Sequence, residues 1–351
     1  MNKPFHRAWL SPISLGMVWL MLSWLAWAFP VEGSERGSTR GEREPARISV
    51  LMATGMPGGT SYQVGLGLAS LWTTKLRGAG IRVSAAISEG AGENVEAIRI
   101  ADADLILVED LFCSMAYNGT GVYRGRPLRG LRSIATLWPE TVQILVRSDR
   151  IQKASLEALE GLTLATGLPD SGNNFTTELL LKTLKGARQK VRLRSIGYAM
   201  GAEALKNGTV QALDATGGMP VPVVSSLLQE GKPPLAFIEI TAGRMEALRE
   251  EGWKNVFRSV IPAGTYPGQN QPVNSVGQFN VLATASSLDP QVVYALTKTL
   301  YENLDYLARV HPACRRITLE HSLEGLTVPL HRGAVLYYTE RKMKIPEHLL
   351  P

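Results

Sequence analysis

Apolar and polar positions alternate along most of this chain in a repeating order. A short β-branched, apolar run comes first, then a glycine-containing turn, then a segment with apolar residues at helical spacing. Residues 48–53, Ile-Ser-Val-Leu-Met-Ala, predict a strand, and residues 62–76 predict a helix. Residues 81–87 predict the next strand, 94–100 a helix and 104–108 a third strand that ends in Glu109-Asp110. A β-α-β-α-β run of this kind predicts a parallel sheet with helices on its faces. Residues 133–138 and 141–146 predict two extended segments separated by Pro139.

The same alternation then starts again. A short helix over 155–160 precedes a strand at 162–166, a helix at 175–184, a strand at 191–196, a helix at 200–207 and a strand at 212–216. Residues 221–229 predict a helix, 235–240 a strand and 244–251 a helix. Pro262 and Pro267 break the pattern, and 276–284 predict an extended return segment. Asp289-Pro290 reads as the cap and first turn of a helix running to Arg309, and 334–343 predict a last helix. The class is α/β with two lobes. The expected organisation is a first lobe from residues 48–140, a second from 141–275, and a return over 276–351 that completes the first.

In open parallel sheets ligands lie beyond the carboxyl ends of the strands. Three loops fall there in the first lobe: Gly58, Gly59, Thr60, Ser61 and Tyr62; Gly90, Ala91 and Asn94; and Glu109. Glycine permits close approach of a ligand, and the first amides of a helix are unpaired donors at the positive end of its dipole. Such loops suit an anion. No lysine follows Gly59 and the dinucleotide glycine spacing fails, so a carboxylate fits better than a nucleotide. The second lobe offers Ser171, Gly172, Asn173 and Asn174, and then Gly217, Gly218 and Met219. Tyr266, set between prolines, is a candidate wall over the ligand. Thr60, Ser61 and Ser171 also suit plain helix capping, and Tyr266 also suits packing at a hinge.

Composition adds bounds. At 351 residues, 45% hydrophobic and 19% charged, the chain is globular and long enough for two lobes. Its net charge of +6 is spread out with no aromatic-basic ribbon, so nucleic acid is not favoured. Lys3 and Arg7, the apolar run 15–26 and Ala26-Trp-Ala28 predict a signal peptide over residues 1–28, hence export to the periplasm. The stretch between Arg7 and Glu32 is also long enough for a retained anchor. Residues 29–47, charged and without apolar period, predict a mobile leader. Cys113 and Cys314 read as buried free thiols, with one disulfide as the alternative. Five scattered histidines give no metal spacing, and the candidate loops hold no triad and no paired carboxylates. No cofactor, metal or catalytic residue is expected.

Several motifs in order resemble one family. They are Thr54-Gly-x-x-Gly-Gly-Thr-x-Tyr62, Gly90-x-x-Glu-Asn94, Ala116-Tyr-Asn-Gly-Thr-Gly121, Pro169-x-Ser-Gly172 and Pro262-Ala-Gly-Thr-Tyr-Pro-Gly-Gln269. Leu296-Thr-Lys-x-Leu-x-Glu-Asn-Leu304 and Pro329-Leu-His-x-Gly-Ala334 follow. Together they resemble the TAXI family of extracytoplasmic solute receptors, the binding subunits of TRAP transporters, over about residues 47–344. The resemblance implies a two-lobed periplasmic-binding-protein fold of the second type, closing on a glutamate-like amino acid or a dicarboxylate. It implies a membrane permease as partner. An exported enzyme or an anchored sensor on the same fold is the alternative. Glu109 departs from the family, which commonly has a neutral or amide residue there; its acid would repel a diacid or pair with an ammonium group.

Overall fold

The computed structural model describes residues 47–184 and 190–351, all within one unit, Glu44–Pro351. The signal peptide expected over residues 1–28, and all of the leader before residue 47, lie outside the described residues.

Strand β1 (Ile48–Ala53) leads into helix α1 (Thr60–Lys75), then β2 (Ile81–Ala86), α2 (Ala91–Arg99), β3 (Leu105–Glu109), α3 (Asp110–Asn118) and β4 (Leu131–Thr141). The chain continues through β5 (Ile144–Arg147), β6 (Thr163–Ala165), α4 (Gly172–Lys182), β7 (Arg192–Arg194), α5 (Tyr198–Lys206), β8 (Ala212–Asp214), α6 (Pro222–Glu230), β9 (Leu235–Phe237) and α7 (Arg244–Glu250). It returns through β10 (Phe257–Ile261) and β11 (Val273–Ala285) and ends in α8 (Pro290–Tyr301), α9 (Leu304–Val310) and α10 (Arg332–Glu340).

Two sheets result. The first runs β2-β1-β3-β11-β10, with β4 on the other side of β11; β1 is parallel to β2 and β3, while β11 is antiparallel to β3, β4 and β10. The second runs β7-β6-β8-β5-β9, with β6 parallel to β7 and β8. Each has a three-stranded parallel core, β2-β1-β3 or β7-β6-β8, with antiparallel strands joined on, and is flanked by helices, so parallel pairings do not predominate as the alternating pattern implied. This is the two-lobed, second-type binding-protein arrangement. Because β3 is buried along its whole length, its run Leu105-Ile-Leu-Val108 shows no alternation, as a central parallel strand should.

The lobes are joined by the long strands β4 and β11, which pair from Thr141–Gly277 to Leu131–Ala285. Past that ladder the Val142 amide donates to the Val276 carbonyl at 2.9 Å, and Thr141 and Gly217 exchange backbone bonds. The carboxy-terminal helices cover the first sheet. There the buried Trp72 indole donates to the Leu296 carbonyl at 2.9 Å, and the Tyr338 hydroxyl to the Ile134 carbonyl at 2.9 Å.

Three local expectations are corrected. Pro139 does not divide its region: β4 runs through it, because β4 lies at the sheet margin and Pro139 sits beside a register shift, where a missing donor is tolerated. The helix expected from Asp289 to Arg309 starts as foreseen, with the Asp289 carboxylate accepting the Gln291 amide at 2.6 Å, but it divides at Asn303. The Asn303 amide side chain donates to the Thr299 carbonyl at 2.8 Å, a local bond that competes with the helical ladder. Strand β10 had no counterpart in the sequence pattern; it forms by pairing with β11. Among the described residues no helix is long and apolar enough to cross a membrane, and both cysteines are free and buried.

Candidate functional site

The carboxyl ends of β1, β2 and β3 and the starts of α1, α2 and α4 converge on a cavity of about 50 Å3 between the lobes. The first lobe walls it with Thr54, Gly55, Met56, Gly59, Thr60, Ser61, Gly90, Ala91, Leu107, Glu109 and Glu140. The second supplies Ser171, Gly172, Asn173, Tyr198, Thr216 and Gly217. The two lobes meet across this space. Backbone contacts close it. The Gly92 amide donates to the Asp170 carbonyl at 3.2 Å and the Val223 amide to the Gly58 carbonyl at 3.1 Å. The Thr60 hydroxyl donates to the Gly218 carbonyl at 2.6 Å, and His311 Nε2 meets the Pro220 carbonyl at 3.0 Å.

Two glycines are required by this geometry. Gly90, the residue before α2, has φ +121°, a conformation that strains any residue with a Cβ, and such an atom would also stand 3.3 Å from Ser171 Cβ across the cleft. Gly59 precedes α1 without a side-chain cap, and a Cβ there would meet the Tyr198 ring at 3.0 Å.

Of the residues singled out from the sequence, the structure brings Gly59, Thr60, Ser61, Gly90, Ala91, Glu109, Ser171, Gly172, Asn173 and Gly217 to the cavity wall. It places the others elsewhere. Gly58 lies in the loop before α1 and Tyr62 in the first turn of α1, both outside the wall. Asn94 is fully buried behind it, its amide donating to the Thr54 and Leu107 carbonyls at 3.1 and 2.7 Å and so tying β1 to β3. Asn174 donates to the Thr166 and Ser195 hydroxyls. Gly218 packs against the Trp138 indole, and Met219 lines a separate groove near the strand crossover. Tyr266 is 3% exposed, its ring centroid 5.5 Å from that of Phe237 in a tilted pair, and its hydroxyl joins the Val221 amide to the Gln143 side chain, so it packs within the second lobe.

The hydroxyls divide by role. Ser171 caps α4, accepting from the Asn174 amide at 3.2 Å. Thr60 and Ser61 are not caps: Thr60 reaches across the cleft, and Ser61 stands between Asn280 and Glu140, at 3.3 and 3.5 Å.

Glu140, Tyr198 and Thr216 were not foreseen. Glu140 joins Glu109 on the cavity wall, outside the loops in which no paired carboxylates were expected. The two acids come from strand ends and not from loops: β11 inserts between β3 and β4, setting Asn280 opposite Glu109 and Gln278 opposite Glu140. Glu140 Oε1 accepts from Asn280 Nδ2 at 2.8 Å. Burial raises the Glu109 carboxyl from 4.5 to about 7, and burial with the neighbouring Glu109 charge raises Glu140 well above the usual range. Asp110 next to them is pushed up from 3.8 to about 7, again chiefly by burial. Among the described residues none of these three has a lysine or arginine partner. Two buried carboxyls on one wall, with the charge of one raising the other, favour being protonated or meeting a cation.

The second lobe answers with a hydrogen-bonded network. Asn173 Nδ2 donates to the Tyr198 hydroxyl at 2.6 Å, which donates to the Thr216 carbonyl at 2.7 Å. The Thr216 amide and hydroxyl donate to the buried Asp214 carboxylate at 2.9 and 2.8 Å. Tyr198→Phe should leave a buried donor and a buried carbonyl short of a partner, at a cost of about 1 to 3 kcal/mol. Thermal melts should show a drop of several degrees, and an unchanged melting temperature would contradict the network.

The model of the NMT1-like family matches residues 52–341. Among solved structures, a protein of Bordetella bronchiseptica RB50 is 16% identical, with 86% of each chain covered and a TM-score of 0.49. A putative L-cystine ABC transporter protein from Listeria monocytogenes is 11% identical over 78% of this chain and 98% of its own, at 0.48. The alkanesulfonate-binding protein SsuA from Xanthomonas axonopodis pv. citri, bound to MOPS, is 16% identical over 88% and 96%, at 0.44.

Proposed function

The chain belongs to the NMT1-like family, and from that premise we propose that it is the extracytoplasmic receptor of a TRAP-type secondary transporter of the TAXI kind. It holds a small organic solute, a glutamate-like amino acid or a dicarboxylate, between its lobes and hands it to a membrane permease. It is a periplasmic monomer and does not transform its ligand. The observation that carries this reading is the inter-lobe cavity itself: three helix starts open into it, and backbone bonds from both lobes shut it. Helix starts bind carboxylates through unpaired amides, and shutting two walls over a ligand is what a receptor needs and an open surface cannot do.

Mass spectrometry of material released from the purified protein on denaturation should find a small carboxylic or amino acid. Incubation with that compound should return it unchanged. Recovery of a chemically altered compound would favour the exported enzyme, and Glu109 and Glu140 would then be its acid-base pair.

A further inference from the structure

Resting on the receptor reading above, we infer that the solute is an α-amino acid whose protonated amine lies against the carboxyls of Glu109 and Glu140, while its carboxylate meets the helix starts of the same cavity. Both acids line the cavity, and both are more than nine-tenths buried, at 9% and 4% exposed. They differ in how they are held. Glu140 is fixed by Asn280 and Ser61. Among the described residues no other side chain hydrogen-bonds to the Glu109 carboxyl, which accepts from its own backbone amide and keeps its remaining acceptor capacity for whatever enters.

The cavity wall holds no lysine, arginine or histidine. A buried carboxyl is stable when protonated or when a cation with hydrogen-bond donors lies beside it. An ammonium group is a compact charge with three donors, matching one acid held by side chains and one that is not. It also leaves for the ligand's own carboxylate those amides at the starts of α1, α2 and α4 that are not already bonded, as the Gly92 and Asn174 amides are. A dicarboxylate would place two more negative charges in a wall that already carries two acids and no base. A 2-hydroxy acid would satisfy the helix starts but offer one neutral donor where the wall accepts a cation.

Calorimetry at pH 7.5 with matched compounds separates these cases: L-alanine against L-lactate, L-leucine against L-2-hydroxyisocaproate, and L-glutamate against L-2-hydroxyglutarate and glutarate. In whichever series binds, the amine should bind about a hundred-fold tighter than its hydroxy partner, as charge-assisted hydrogen bonds to a buried pair require. Glu109→Gln and Glu140→Gln, which keep the side-chain shape, should each cut that ratio to about ten-fold or less. The wild-type ratio stands as a test even if a variant fails to fold. Equal or tighter binding of the hydroxy acid or the dicarboxylate overturns the inference while leaving the receptor reading intact, as does a ratio unchanged in both variants. If no series binds, the compound released on denaturation decides, and one without an amine overturns the inference. No binding and no released compound overturn the receptor reading itself.

Discussion

Gly92→Val is expected to hold the lobes apart and to weaken ligand binding by about a hundred-fold or more. Gly92 lies in the first turn of α2, and a Cβ added to it would stand 2.4 Å from the Asp170 carbonyl oxygen of the opposite lobe. That contact is with backbone, so no side chain can swing aside. Parting the lobes there also breaks the bond from the Gly92 amide to Asp170. A ligand left on one lobe loses its hydrogen bonds to the other, and two bonds to charged groups are worth about 3 to 6 kcal/mol together, which is a hundred-fold or more in affinity. The fold itself should survive, since glycine is about 1 kcal/mol worse than alanine inside a helix. Small-angle scattering of Gly92→Ala and Gly92→Val should give a larger radius of gyration than wild type, with near-normal melts. Wild-type size and affinity in both would contradict closure through this contact.

The second large effect is on stability against pH. Burial raises Glu109 from 4.5 to about 7 and Asp110 from 3.8 to about 7. Between about pH 4 and 7 the folded chain therefore keeps protons that the unfolded chain has released. The stability these groups contribute is full below that window and is lost as pH rises through about 7. At pH 8 Glu109 alone should cost the ligand-free protein on the order of 3 kcal/mol, from about 1.4 kcal/mol per pKa unit. His311 and His331, held neutral by burial, act the other way below their own range. Comparing wild type with Glu109→Gln cancels them. Urea melts should find Glu109→Gln more stable than wild type at pH 8, with the gap vanishing near pH 4.5. A less stable variant at pH 8 would show that the carboxylate is satisfied in the folded state.

The same acids show how much of the site was legible. Glu109 was visible because it ends an apolar strand at a carboxyl edge, a position that topology marks as ligand-facing. Glu140 was not, because it lies beyond Pro139, where the pattern suggested a break. Its partner Asn280 is 140 residues away in sequence. Thr60 and Ser61 were legible as hydroxyls at a helix start. Their actual partners, Gly218 and Glu140, belong to other elements, and no local signal distinguishes such a bond from a cap. Tyr266 was chosen for its setting between prolines, yet a buried ring needs a partner for its hydroxyl, and the second lobe supplied Gln143 and Val221.

From the sequence alone came whatever depends on near neighbours. Apart from α3 and β10, the order of strands and helices follows from apolar periodicity, and the helix-opening loops follow from glycine and Asx residues at strand ends. The cap at Asp289 follows from an acceptor one residue before a proline. Tertiary structure decided the rest. Which strand lies between β3 and β4, and hence that Glu109 and Glu140 share a wall, depends on a return strand 273–285 pairing with partners more than a hundred residues earlier. The approach of Gly92 to Asp170 depends on the closure of two lobes. Such contacts are set by the packing of whole sheets and helices, and a short-range pattern of apolar and polar positions carries no record of which distant surface each element will meet.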